Sequence, residues 1–299
     1  MLQGTRSWRL GVLLAAAGGF VAATLPVSTV AQAKAPQSAP RAYAELSDVR
    51  LSYIDTGGSG TPIVLMHAAT GSSRVWEHQL PAFAAAGYRV IAYDRRGHGD
   101  TLVRPAAPAS HAASDDLDGL MSHLRIDRFH LVGTAAGGIV SMDYALSFPT
   151  RLRSLVIANS IVGVQDEEYQ ALGRRLRPSP QFDALPADFR ELGPSYRAAN
   201  PDGTRRWLEL ERASRPEGSR PPPSTSRNKV TFALLETLKV PTLLLTGGAD
   251  LYTPPPVLRL FAQRIKSAES VVIDEAGHSA YWEQPERFNR AVLSFVRKH

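Results

Sequence analysis

Leu131-Val132-Gly133-Thr134-Ala135-Ala136-Gly137-Gly138 stands between two runs of different periodicity. Phe129 to Val132 is a short apolar run of strand type, and Ile139 to Ser147 suits a helix. The pattern G-x-S-x-G occupies strand-to-helix turns of this kind, because close glycines permit a strained bend that lifts a serine oxygen above a sheet. Here Gly133 and Gly137 stand in register, and Ala135 holds the serine position. The sequence predicts the architecture of a nucleophile site without its nucleophile.

Outward from this turn, strand and helix alternate. Upstream, Ala42 to Leu46 and Val49 to Ile54 read as an antiparallel pair of edge strands that stops at Thr56-Gly57-Gly58. Pro62 to His67 and Tyr88 to Tyr93 are continuous apolar runs, as in strands buried on both faces of a parallel sheet. Helices are predicted from Arg74 to Ala86, with Trp76, Leu80 and Phe83 on one face, and from a cap at Ser114-Asp115-Asp116 to Leu124. Downstream, strands fall at Leu155 to Ala158, Pro241 to Thr246 and Ser270 to Ile273. Helices fall at Thr231 to Leu238, Pro255 to Ile265 and Pro285 to Val296. This order implies an α/β fold, a mostly parallel central sheet with right-handed crossovers and helices on both faces.

Between residues 161 and 230 the rhythm breaks. The stretch is rich in Arg and Pro, holds Trp207, and includes a segment, Arg215 to Pro223, that excludes regular structure. An insertion of this length between core strands predicts a cap or lid, partly helical around Glu167 to Arg175 and Arg205 to Arg212. The core is then 41–160 and 231–299, and the cap sets specificity, with Trp207 in the substrate pocket.

The 299 residues are 43% hydrophobic, enough for a large core. Residues 1–33 read as a secretory signal: Arg6 and Arg9, an apolar run from Val12 to Leu25, then Ala31-Gln32-Ala33 as a cleavage site. An uncleaved anchor is the alternative. Cleavage implies a periplasmic or secreted protein with no stable membrane insertion, joined to its core by a linker at 34–40. With no Cys, disulfides, thiolate nucleophiles and Cys-ligated metals are excluded. Loss of Arg6 and Arg9 lowers the formal charge from +6 to +4, spread as single residues, which speaks for solubility and against a nucleic-acid partner.

Acyl transfer needs a nucleophile, an imidazole base, a carboxylate that holds the base, and donors for the oxyanion. The acid candidate is Asp250, just beyond the Pro241 strand, and the base candidate is His278, just beyond the Ser270 strand. Both fall at the carboxyl edge of the sheet, where open α/β sheets bind ligands. Asp274 and Glu275 are rival acids that rank lower, since they lie at the exit of their own strand. The oxyanion hole would come from the backbone N–H groups of Ala136 and Ala69. His67 and His98 close strand-end loops; His67 and Thr134 are placed beside the substrate pocket.

On these residues the chain from about Ala42 onward resembles the α/β-hydrolase superfamily of esterases, enol-lactonases and carbon–carbon bond hydrolases. The pieces that carry the resemblance are Val64-Leu65-Met66-His67, Tyr93-Asp94-Arg95-Arg96-Gly97-His98-Gly99, the Gly133–Gly137 turn, the Asp250 loop and Gly277-His278. Ala68 departs from the glycine usual after that histidine, and Ala135 from the nucleophile. The alanine turn resembles the aminoacrylate hydrolase branch, whose members carry G-H-A-x-G. The resemblance implies an α/β-hydrolase fold with a cap, and hydrolytic chemistry.

Alanine at 135 leaves four readings. Asp250 and His278 activate a water in the vacated hydroxyl volume, for hydrolysis of an activated ester or lactone. Or another hydroxyl substitutes: Thr134, which should point away from the site, or Thr70, Ser72 and Ser73 on the oxyanion loop. Or the pocket binds a small molecule, or runs lyase or cofactor-free oxygenase chemistry through His278 alone. Or Ala135 is an engineered replacement. The first is the expectation carried forward, with a small-molecule substrate as partner. No metal constellation, P-loop or dinucleotide fingerprint is present in the sequence, so no cofactor is expected. The oligomeric state stays open.

Overall fold

The computed structural model describes residues 40–105, 111–176, 181–216 and 224–299. The expected signal peptide, most of the linker and the proline-rich part of the insertion, 217–223, lie outside the described residues. Among those described, no helix is long and apolar enough to cross a membrane.

The core strands are β1 Arg41–Glu45, β2 Val49–Asp55, β3 Pro62–Met66, β4 Arg89–Tyr93, β5 Phe129–Thr134, β6 Leu152–Ala158, β7 Thr242–Gly247 and β8 Ala268–Ile273. They lie in the order β1-β2-β4-β3-β5-β6-β7-β8. Pairing is antiparallel through β1, β2 and β4 and parallel from β4 onward. A two-residue strand, Leu102–Val103, also pairs with β2. Of the two strands expected at the edge, β1 is there; β2 lies inside, between β1 and β4.

Alternation along the strands builds two cores. Val64 and Met66 of β3, Ile91 and Tyr93 of β4, and Phe129 and Leu131 of β5 face one cluster, while Ile63, Leu65, Val90, Ala92 and Val132 face the other. The first cluster takes its helical partners from α2 Ala113–His123, α3 Ala136–Ser147 and Pro255–Arg264. The second takes them from α1 Gln79–Ala85 and the closing helix Pro285–Val296. This is the α/β layering that alternation of strand and helix predicted.

Several boundaries moved for local reasons. The helix expected from Arg74 to Ala86 is a 3-10 turn, Ser73–Trp76, followed by α1. Pro81 cannot sit in a helix interior, so the chain restarts and places it in a first turn, where its missing N–H has no partner to lose. Ser114 lies inside α2 and caps nothing; its hydroxyl donates to buried Asp143 at 2.7 Å. The helix expected from Thr231 to Leu238 shrinks to Phe232–Leu235, capped by Thr231, whose Oγ1 accepts from the Leu234 N–H.

Between β6 and that short helix, the insertion carries α4 Glu167–Leu176, α5 Ala187–Glu191, α6 Pro194–Ala199 and α7 Pro201–Arg212. Neither α5 nor α6 was anticipated. They have five and six residues, too short for a periodic pattern to stand out.

Candidate active site

Four turns converge at the carboxyl edge of the sheet: Ala135 after β5, Asn159 after β6, Asp250 after β7 and His278 after β8. Ala135 has φ 49° and ψ −116°, a conformation that costs a residue with a Cβ on the order of 1–3 kcal/mol. The surroundings hold it there. Its N–H donates to the Ala158 carbonyl at 2.9 Å, and its carbonyl accepts from Ser160 Oγ at 2.6 Å and from the N–H groups of Gly138 and Ile139. The flanking glycines answer to crowding: a Cβ on Gly133 would lie 2.3 Å from Ser141 Oγ, and one on Gly137 2.4 Å from the Met66 carbonyl. The strained elbow is built in full around an alanine.

Asp250 and His278 are joined. His278 Nδ1 lies 3.0 Å from both carboxylate oxygens of Asp250. Asp250 also accepts from Asn159 Nδ2 at 2.9 Å, from Thr246 Oγ1 at 3.2 Å, and from the N–H groups of Tyr252 and Thr253. Burial pushes the Asp250 carboxyl up, but the His278 charge and the hydrogen bonds from His278, Asn159 and Thr253 outweigh it and hold it below the usual carboxylate range. Burial likewise lowers His278; Asp250 first, then Glu191 and Glu283, overcome this and raise it well above the ordinary imidazole value. Pairing with Asp250 thus favours the protonated imidazole.

The two oxyanion candidates border the same cavity as Ala135 and His278. Ala136 N–H is the first of α3 and has no intrahelical partner. The Ala69 N–H is aimed from behind. The Arg95 N–H donates to His67 Nε2 at 3.0 Å, so the His67 proton is on Nδ1, which donates to the Ala68 carbonyl at 2.7 Å. The Gly71 N–H donates to the same carbonyl. In a trans peptide the carbonyl and the following N–H point opposite ways, so fixing the Ala68 oxygen fixes the direction of the Ala69 N–H. Burial holds His67 neutral, far below the ordinary imidazole value.

The cavity measures about 520 Å³. Its core side is made of small residues, Ala68, Ala69, Thr70, Ala135 and Ala136, with His278 and Tyr252. The insertion supplies the opposite, charged wall: Arg190 and Glu191 from α5, Glu211 and Arg212 from α7, then Ser214 and Arg215. Among the described residues no three His or acidic side chains gather as a metal site.

A sequence model of the alpha/beta hydrolase fold matches residues 61–285. The chain belongs to the α/β-hydrolase family. A 2-hydroxy-6-oxononadienedioate/2-hydroxy-6-oxononatrienedioate hydrolase of Burkholderia vietnamiensis is 30% identical over 267 residues, covering 84% of this chain and 92% of that protein. The malate-bound structure of a thermophilic esterase from Thermogutta terrifontis has a TM-score of 0.70 at 29% identity, covering 87% of this chain and 99% of that one. Est816, described as an N-acyl homoserine lactone degrading enzyme, gives a TM-score of 0.68 at 25% identity, over 85% and 100%.

In this α/β-hydrolase three residues expected at the pocket do not border it. Thr134 is fully buried beneath the elbow, as alternation on an extended strand directs, and its hydroxyl has no partner among the described residues. His67 lies behind the oxyanion loop. Trp207, 1% exposed, packs into the second core cluster. The rival acids Asp274 and Glu275 are exposed.

The site also holds residues that the sequence does not single out. Asn159 donates to both Asp250 and the Gly277 carbonyl, tying acid and base loops together. Its place just beyond β6 was the available signal. The Tyr252 ring lies 4.4 Å from the His278 ring. Glu283 accepts from the N–H groups of Gly193, Gly277 and Ser279, and burial raises it to about 7 against those bonds. Glu191 stands in the cavity wall, and nothing in its sequence context marks it.

Proposed function

We propose that this hydrolase cleaves a small carboxylic ester or lactone by direct attack of water, and that it works in the periplasm or outside the cell. One observation carries the reading: the elbow keeps its strain at Ala135 while Asp250, His278 and the N–H groups of Ala69 and Ala136 keep their places around it. Water in the volume of a serine hydroxyl meets the imidazole on one side and a carbonyl carbon on the other. His278 is the base above its raised pKa. Without a covalent intermediate such a site retains roughly 10³–10⁴-fold over water, which suits activated acyl groups and not amides. The relatives are named as a hydrolase of oxo-dioates, an esterase and a lactone-degrading enzyme, which supports hydrolysis more strongly than it supports one bond.

The insertion serves as the cap that sets specificity, through its charged wall. Arg190, Arg212 and Arg215 favour a substrate carrying a carboxylate, and the Burkholderia relative is named for dioate substrates. The test is a panel of aryl esters and small lactones, with and without a second carboxylate, given to native protein, Ala135→Ser and His278→Ala. Native turnover that His278→Ala removes supports the reading. Activity that appears only in Ala135→Ser would mean that the native pocket binds its ligand without hydrolysing it.

A further inference from the structure

Glu191 has no part in the chemistry so far. It ends α5, it is 6% exposed, and it borders the cavity together with Ala135 and His278. Its position is set by the loop that carries His278. The Ser279 N–H donates to the Glu191 carbonyl at 3.0 Å, and Glu283 clamps the N–H groups of Gly193 and Gly277 at 2.8 and 2.9 Å. The two backbones touch there: a Cβ on Gly277 would lie 2.4 Å from Gly193 N. Glu191 therefore moves with His278, although it belongs to the insertion. The Tyr252 ring lies 4.4 Å from the His278 imidazole, and its hydroxyl accepts from Arg190, the residue before Glu191.

The titratable groups facing Glu191 are His278, Asp250, Tyr252 and Tyr281 from the core and Arg190 from its own helix. Burial raises its carboxyl; the His278 charge and Arg190 counter part of that rise. With Nδ1 engaged by Asp250, Nε2 is the His278 nitrogen left for the cavity. The His278 imidazole and the Glu191 carboxyl group thus border one space that Ala135 also lines.

We propose that Glu191 is a catalytic base of this site, taking a proton from the attacking water while His278 gives its Nε2 proton to the departing oxygen. The proposal rests on the hydrolytic reading above and supplies its base at neutral pH. An O–H bond of water breaks toward Glu191 as the water oxygen bonds to the carbonyl carbon. The bond from that carbon to the leaving oxygen then breaks as the oxygen takes the His278 proton. Acid and alcohol leave, or one hydroxy acid from a lactone. The proton on Glu191 returns to His278 through solvent, and no co-reactant is consumed.

The experiment is kcat against pH on an aryl acetate and a small lactone, for the native full chain, Glu191→Gln, and Glu191→Ala with and without formate. Native activity should already be present at neutral pH, through Glu191, before the alkaline range in which neutral His278 can itself act as base. Glu191→Gln should lose about 10²–10⁴-fold at neutral pH and keep only an alkaline rise, and formate should restore part of the Glu191→Ala rate. An unchanged rate and profile in Glu191→Gln, beside an inactive His278→Ala, overturns the role of Glu191 and leaves hydrolysis standing. A lower rate with an unchanged profile and no formate rescue also overturns it, since packing alone would do that. Absence of native hydrolysis overturns both readings.

Discussion

Replacing Ala135 by glycine should stabilise the protein. The native backbone there, φ 49° and ψ −116°, lies in a region that a Cβ disfavours and that glycine populates freely as the mirror of the extended conformation. Relief of strain is worth about 1–3 kcal/mol. Against it stands the added freedom of glycine in the unfolded chain, about 0.4–1 kcal/mol. The lost methyl subtracts little, because it borders the cavity. The net is roughly 1 kcal/mol in favour of glycine, or a Tm rise of about 2–4 °C for a chain of this size. Urea and thermal unfolding of Ala135→Gly can be set beside Ala262→Gly, in the helix Pro255–Arg264, where the same exchange should cost about 1 kcal/mol. Equal losses in both variants would refute the reasoning, since they would mean that Ala135 carries no strain.

His67→Gln should lower kcat by about 10²–10³-fold with little change in KM, the loss of one aimed oxyanion donor; a KM effect alone would argue against the peptide-orienting role. Unfolding free energy measured across pH should show opposite signs for the two members of the buried pair. Asp250 is lowered in the fold, so its contribution is complete above the unfolded carboxyl value of about 3.9 and is lost as pH falls through the folded value. The gap between native protein and Asp250→Asn should therefore close in acid. His278 is raised, so its contribution is complete below about 6.5 and is lost as pH climbs through the folded value. The gap to His278→Gln should close in alkali.

What the sequence shows well is what depends on short-range spacing. Gly133 and Gly137 flag the elbow because a Cβ at either position collides with backbone or side chain across the turn. Asp250 and His278 are legible because each follows a continuous apolar run, and such runs are strands whose carboxyl ends share one edge of a parallel sheet. Asn159 obeys the same rule, but asparagine after a strand also reads as a turn residue. Glu191 and Glu283 were invisible. What joins them is long-range: Gly193 N–H donates to Glu283 across 90 positions, and Ser279 N–H donates to the Glu191 carbonyl, and no local pattern encodes either contact.

Trp207 shows how composition misleads. A tryptophan in a polar, Arg-rich insertion invites a pocket role, yet it is 1% exposed and packs in the cluster that holds Tyr281, whose own ring lies 4.8 Å from Trp76. The tryptophan fixes α7 to the core and leaves the cavity to the residues at the end of that helix, Glu211 and Arg212. Two variants separate these tasks. Trp207→Ala should cost about 3–5 kcal/mol of stability and lower activity on every substrate by a similar factor. Arg212→Ala, at an exposed position, should leave stability within about 0.5 kcal/mol and raise KM selectively for substrates that carry a second carboxylate. The measurement is Tm together with the ratio of kcat/KM between paired esters with and without that carboxylate. A changed ratio in Trp207→Ala with native stability would return the tryptophan to the pocket. An unchanged ratio in Arg212→Ala would remove that arginine from substrate recognition.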